Sequence, residues 1–202
     1  MYIARILYPV KALGPGNRIG IWFAGCNHHC KGCSNPELWE QREECQTSLQ
    51  QILRLVNSIA GQHQVDGFTI TGGDPFEQPE ALEQLLPELY QISDDILVYT
   101  GYEYEMIKEQ HAVILEHIAV LIDGLYIKEL NEEEALRGST NQRIIVLNER
   151  YTELYEQYIA ASKGKVQNFI TPTGVISVGI HRPGYEEALD TKLCEKGLTK
   201  DG

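Results

Sequence analysis

Three of the chain's cysteines lie within eight residues, in the run Gly25-Cys26-Asn27-His28-His29-Cys30-Lys31-Gly32-Cys33. The spacing C-x3-C-x2-C holds three thiols on one short loop, where they can reach three corners of a single iron–sulfur cubane. Such clusters generally take four cysteine thiolates. Supplying three leaves one iron open to a ligand that is not protein, the arrangement that catalytic metal centres need. The competing reading is a structural zinc site completed by His28, His29 or Cys45. Zinc ribbons pair two knuckles of the CxxC kind, and the chain has no second one. His28 and His29 are expected to shape the surroundings of the metal rather than to ligate it. Cys45 and Cys194 have no partner at ligand spacing and read as ordinary thiols.

Five cysteines are an odd number for a disulfide framework. Their clustering points instead to a reducing compartment and to metal or redox chemistry. No apolar run approaches the ~20 residues needed to cross a bilayer. The short run Ile6-Leu7-Tyr8 is cut off by Pro9 and Lys11 with no small-residue cleavage site after it, so it is not expected to be a signal peptide. The expectation is a cytoplasmic protein without membrane contact. A net charge of −12 speaks against a nucleic-acid surface, since neutralising phosphates takes Lys and Arg. The charge is unevenly spread. Between Met1 and Pro36 there is no Asp or Glu, while Arg5, Lys11, Arg18 and Lys31 all lie there. The cysteine loop thus sits in a locally basic stretch of an acidic chain.

With 202 residues and no internal repeat, low-complexity tract or Pro/Ser-rich linker, the chain is expected to form one domain over 1–202. Ile19 to Phe23 reads as a strand running straight into the cysteine loop. Phe68 to Thr71, Ile96 to Tyr99, Val120 to Ile122 and Ile144 to Leu147 continue the apolar strand series. Leu49, Ile52, Leu53, Val56 and Ile59 share one helical face, and Leu82, Leu85, Leu86 and Leu89 another. Strands alternating with helices imply an α/β fold with a mainly parallel sheet, whose ligands gather at the C-terminal strand ends. Those ends carry Cys26, Gly72-Gly73-Asp74, Thr100-Gly101-Tyr102 and Asp123-Gly124, so four turns should converge on one site. Farther on, Tyr151, Tyr155 and Tyr158 mark a packing helix face. Val166 to Ile170 and Val175 to Val178, around Thr171-Pro172-Thr173-Gly174, suggest a hairpin. The polar tail after Pro183 is expected to be mobile.

The cysteine motif at the end of a first strand resembles the signature of the radical S-adenosylmethionine (SAM) superfamily. The longer run from Gly25 through Gly32-Cys33-Ser34-Asn35-Pro36-Glu37-Leu38-Trp39 is similar to the activating enzymes of anaerobic ribonucleotide reductase. Many superfamily members carry an aromatic residue where this chain has Gly32, which agrees with that subgroup. Gly14-Pro15-Gly16-Asn17-Arg18 resembles the subgroup's leader, with Leu13 in place of a common acidic or small polar residue. Gly72-Gly73-Asp74-Pro75-Phe76, Thr100-Gly101-Tyr102, Asp123-Gly124 and Arg137-Gly138-Ser139-Thr140-Asn141-Gln142-Arg143 are similar to its later motifs. The resemblance covers about residues 14–147, leaving about 148–202 as an extension.

The resemblance implies a partial (βα)6-type radical SAM barrel with a C-terminal β-hairpin extension. It implies one [4Fe–4S] cluster on Cys26, Cys30 and Cys33, with SAM chelating the open iron and splitting on reduction to methionine and a 5′-deoxyadenosyl radical. Gly72 and Gly73 would then let the backbone approach the methionine amino group, and Asp74 would accept a hydrogen bond from it. Asp123 would hold the ribose hydroxyls, Thr100 would line the pocket, and Arg137 or Arg143 would bind the SAM carboxylate or the partner protein. Plain turns at Gly72-Gly73-Asp74, Thr100 and Asp123, and a surface ion pair at the arginines, are the alternatives. The implied activity is abstraction of hydrogen from one glycine of a glycyl radical enzyme, for this subgroup the anaerobic ribonucleoside-triphosphate reductase. A single-cluster enzyme acting on another peptide or small molecule is the second reading, the extra hairpin re-aiming the site. The third is a metal-binding module without catalysis. An acidic flavodoxin or ferredoxin is the expected electron donor, steered by a basic rim that includes Lys31 and Arg18.

Overall fold

Apolar residues recur at every second position of the strands, which turns alternate side chains to opposite faces of a sheet. The computed structural model, which describes residues 1–161, 165–171, 174–181 and 184–195, shows what covers each face. In chain order the first elements are β1 (Ile3–Val10), β2 (Arg18–Phe23), α1 (Leu49–Ala60), β3 (Gly67–Gly72), α2 (Pro79–Tyr90) and β4 (Ile96–Tyr99). There follow α3 (Tyr104–Gln110), α4 (Ala112–Leu115), β5 (Val120–Asp123), β6 (Arg143–Val146) and α5 (Thr152–Ala161). The chain continues with β7 (Val166–Thr171), β8 (Gly174–Gly179) and α6 (Tyr185–Glu195).

Strands β1 to β6 form one sheet in sequential order. The four central strands, β2 to β5, are parallel, and β1 and β6 run antiparallel at the two edges. The expected α/β fold with a mainly parallel sheet is present: three helical crossovers join four parallel strands. A parallel return needs a connection of about a dozen residues or more, usually helical. The loop from Lys11 to Asn17 is too short for one, and residues 124–142 carry only the single helical turn Lys128–Leu130, so both edges turn back antiparallel. Among the described residues no pairing joins β1 to β6, and the sheet is open. The cysteine loop follows the second strand rather than the first. β1 escaped the sequence pattern because its six middle residues are half-exposed and show no clean alternation.

One face of the sheet presents Ile19, Ile21, Phe23, Phe68, Ile70 and Val98. Helices α1 to α4 cover it with Ile52 and Val56, the α2 leucines, Ile107 and Ile114. Helix α1 starts with a capping box: Gln51 N–H donates to Ser48 Oγ (3.3 Å) and Ser48 N–H to Gln51 Oε1 (2.9 Å). The opposite face is covered by the extension. Leu97, Val120 and Ile122 pack against Tyr151 and Tyr155, the latter in α5. Val10, Leu13 and Trp22 pack against Val178 of β8. The β7–β8 pair is the expected antiparallel hairpin, Val166 opposite Gly179. Its Pro172-Thr173 tip lies outside the described residues, as do Pro183 and residues 196–202 of the expected mobile tail. Between them the tail is helical over Tyr185–Glu195, with the Tyr185 ring stacked on His181 at 4.6 Å. Among the described residues no helix is long and apolar enough to cross a membrane.

Candidate active site

The cysteine loop leaves β2 and is stitched by backbone hydrogen bonds to the chain on either side. Gly25 N–H donates to Leu38 O (2.8 Å) and Cys26 N–H to Trp39 O (2.9 Å). Gly73 N–H donates to Phe23 O and Asp74 N–H to Gly25 O, both at 2.8 Å. The turn after β3 therefore lies directly on the root of the cysteine loop. Gly72 has φ +118, and a Cβ there would collide with the Phe23 backbone. A Cβ at Gly73 would meet the Gly25 carbonyl in the same way. Both glycines serve this close approach of two chain segments.

Asp74 ties a third segment in. Its buried carboxylate accepts hydrogen bonds from Phe76 N–H (2.9 Å), Thr100 Oγ1 (3.0 Å), Gly101 N–H (2.7 Å) and His28 Nε2 (2.9 Å). The hydrogen bond to Asp74 raises the His28 imidazole above its ordinary value, against the burial that lowers it. The His28 ring also sits edge-on to Tyr102 at 4.5 Å. The turns after β2, β3 and β4 thus meet around one carboxylate.

These turns wall a cleft with about 1040 Å³ of empty space out to its mouth. Cys26, Cys30 and Cys33 line one end beside Gly72, Gly73 and Asp74. All three thiols are free and half-buried. Burial holds the Cys26 thiol up at about 11, with the His28 and His29 backbone N–H groups pulling the other way. Burial also raises Cys33, to whose sulfur Asn35 N–H donates at 3.4 Å. A bound metal displaces such protons. Among the described residues no three His, Cys, Asp or Glu side chains gather closely enough to hold a single metal ion. A cubane does not require it, because each thiolate takes its own iron, whereas tetrahedral zinc does. Beside the sulfurs, Trp39 Nε1 is a buried donor without a hydrogen-bond partner among the described residues. Three thiols and an unmatched N–H are a donor set that fits a sulfur-rich cluster.

Not every expected site residue reaches the cleft. Thr100 does, as do Gly101 and Gly124. Asp123 is buried behind the wall, accepting from Tyr104 N–H (2.8 Å) and from the Arg143 guanidinium. Arg137 is also outside the lining; it pairs with Glu134, lowering that carboxyl, and donates to Gln142 O (3.0 Å). Arg143 bridges Asp123 to exposed Glu105, whose carboxyl it holds at about 2. Arg18 is a clear correction to the expected basic rim. It is fully buried at the start of β2, bonded to Asp95 (2.6 Å), Thr69 (2.8 Å) and Phe68 O (2.6 Å). It cannot steer a donor. Lys31 is exposed as expected, 3.6 Å from Glu129.

The chain matches the family model described as a 4Fe-4S single cluster domain over residues 12–145. It is 33% identical over 144 residues to the anaerobic ribonucleoside-triphosphate reductase-activating protein of Enterobacteria phage T4, covering 68% of this chain and 90% of that one. The Haemophilus influenzae protein of the same name is 35% identical over 147 residues, covering 68% and 93%. That of Escherichia coli K12 is 30% identical over 145 residues, covering 67% and 92%. The chain belongs to the family of anaerobic ribonucleoside-triphosphate reductase-activating proteins.

The family match stops at residue 145, yet this activating-protein cleft does not. Ser177 to His181, at the end of the hairpin, form part of its wall, and Asn131 Nδ2 donates to His181 O (2.9 Å). Gln167 fastens β7 to the end of β1 through Lys11 N–H (2.8 Å) and Pro9 O (2.7 Å). Sequence reasoning found the hairpin and offered a reading in which it re-aims the site, but not which of its residues line the cleft, because nothing local in β7 or β8 points to a partner surface so far away in sequence. It also missed Trp22, Tyr126 and Gln142 as lining residues. Gln142 lay within a quoted motif, and strand alternation from Ile19 would have turned Trp22 to the cleft side.

Proposed function

We propose that this protein is a radical SAM activating enzyme that abstracts a hydrogen atom from one glycine of a partner glycyl radical enzyme, the anaerobic ribonucleoside-triphosphate reductase. The observation that carries the reading is the shared cleft: three free thiols at C-x3-C-x2-C spacing beside the Gly72-Gly73-Asp74 turn, in a chain of this family. On this reading the open sheet serves as a partial radical SAM barrel, its site at the C-terminal ends of β2 to β5.

Cys26, Cys30 and Cys33 would hold the [4Fe–4S] cluster and leave one iron for the amino and carboxylate groups of SAM. When bound, the cluster supplies the electron that splits SAM into methionine and the 5′-deoxyadenosyl radical that abstracts hydrogen. The protein's own part is placement and exclusion of water. Gly72, Gly73 and Thr100 form the wall against which SAM lies. Asp74 fixes that wall through its hydrogen bonds to Thr100 and Gly101. Asp123 and Arg137 act from behind it. Asp123 holds the end of β5, and Arg137 holds the backbone of Gln142, a residue of the cleft lining. A flavodoxin or ferredoxin is the proposed donor, approaching the exposed Lys31 side of the loop.

One observation favours a second reading. The hairpin residues Ser177 to His181 border the cleft from beyond the matched region, so the target could be another peptide or a small molecule. The test is anaerobic reconstitution, electron paramagnetic resonance (EPR) of the reduced protein with and without SAM, and incubation with the organism's own reductase. A SAM-sensitive cluster signal, 5′-deoxyadenosine and a glycyl radical in the reductase are the expected results. SAM cleavage without that radical sends the reading to another substrate. A protein that binds zinc, or a cluster indifferent to SAM, leaves a metal-binding module.

A further inference from the structure

Trp39 is held against the cysteine loop from several directions. Its carbonyl accepts from Cys26 N–H (2.9 Å), its own N–H donates to Pro36 O (3.3 Å), and its ring packs against His29 at 4.7 Å between centroids. The indole N–H is therefore fixed in place and buried, without a hydrogen-bond partner among the described residues. An indole nitrogen can only donate, and a buried one ordinarily finds an acceptor. Trp39 and Cys33 line the same cleft. The indole is not in hydrogen-bond geometry with the thiol as it stands. A metal-ligated sulfur carries more negative charge than a thiol and is the better acceptor. Asn35 N–H already points at the same atom, at 3.4 Å.

We propose that Trp39 is a positioning residue for the cluster, donating its indole N–H to the Cys33 sulfur and thereby raising the cluster's reduction potential. Hydrogen bonds to cluster sulfurs stabilise the more negatively charged, reduced state. With Asn35, Trp39 gives Cys33 two N–H donors from the segment that follows it. The inference rests on the cluster assignment above and adds a residue that acts through a ligand rather than on SAM or substrate.

The experiment compares wild-type protein with Trp39→Phe after anaerobic reconstitution, with iron and sulfide counted before each dithionite titration followed by EPR. The variant should hold the same cluster, with a ratio of reduced to oxidised cluster about five- to tenfold lower at a fixed potential; tenfold is about 59 mV for a one-electron couple. Benzothienylalanine at position 39, which replaces the N–H by sulfur while keeping the ring shape, should shift the potential in the same direction. It decides the matter if Trp39→Phe fails to hold a cluster. The chain has two tryptophans, so 15N-indole labelling gives a direct readout. Pulsed EPR of reduced wild-type protein should show a 15N coupling that the benzothienylalanine protein lacks. A full cluster with unchanged potential overturns the proposal, and so does absence of that coupling. A wild-type protein that takes up no four-iron cluster overturns the cluster assignment itself, and this proposal with it.

Discussion

Asp74 accepts hydrogen bonds from its own turn, from the turn after β4 and from the cysteine loop. A carboxylate suits this position because it is acceptor-only, with room for about four donors on its two oxygens. An amide of the same shape has one acceptor oxygen and brings an NH2 that would face other donors. Asp74→Asn should therefore destabilise the metal-free protein by about 1.5–3 kcal/mol, the range for hydrogen bonds to a charged group. Urea denaturation measures the loss, and amide exchange at Gly101 should accelerate. An unchanged urea midpoint would show that the three turns are held without this carboxylate. The Gly-Gly-Asp-Pro motif was plain in the sequence, but which way its acid turned was not. Direction depended on where Thr100 and His28 come to lie, and both are distant in sequence. Gly72 and Gly73 show the same limit: the need for glycine was visible, and the neighbour requiring it, the backbone from Phe23 to Gly25, was not.

At the scale of elements, the buried Arg18–Asp95 pair joins the extension to the sheet. Arg18 donates from β2 to the Asp95 carboxylate ahead of β4, and Tyr155 of α5 donates to the same carboxylate at 2.7 Å. A buried charge stripped of its partner is costly, whereas replacing both partners by apolar groups can be nearly neutral. Asp95→Ala should cost about 3–5 kcal/mol by chemical denaturation, and Arg18→Met combined with Asp95→Leu clearly less. Equal losses in the two proteins would mean that the pair's charge is not what holds α5 in place. Sequence reading put Arg18 on a basic rim because it lies in an acid-free stretch. Its strand position argues otherwise. Ile19, Ile21 and Phe23 face the helices, which leaves Arg18 on the face that α5 later covers.

Across the whole molecule, the sheet divides the labour between its faces. Helices α1 to α4 build a core on one side, and the cleft and extension occupy the other. Loss of the cluster in air should therefore loosen the site without melting the fold. Hydrogen exchange should rise at residues 24–35, 72–74 and 100–101, while residues 19–21, 68–70 and 96–98 stay protected, since their strands are buried beneath the helices. Uniform loss of protection would mean that the cluster holds the entire domain together. The sequence by itself determined the cysteine loop, the helices α1 and α2, the central strands and the turns at their C-terminal ends. Each of these is written in local spacing: three thiols on one loop, a period of 3.6 or of 2, glycines where the chain must turn. Only the tertiary structure decided that Asp74 points inward, that Asp123 and Arg137 work behind the cleft wall, and that Ser177 to His181 complete that wall. Those outcomes depend on which distant segments the sheet order brings together, and side-chain direction follows from the neighbours so assembled.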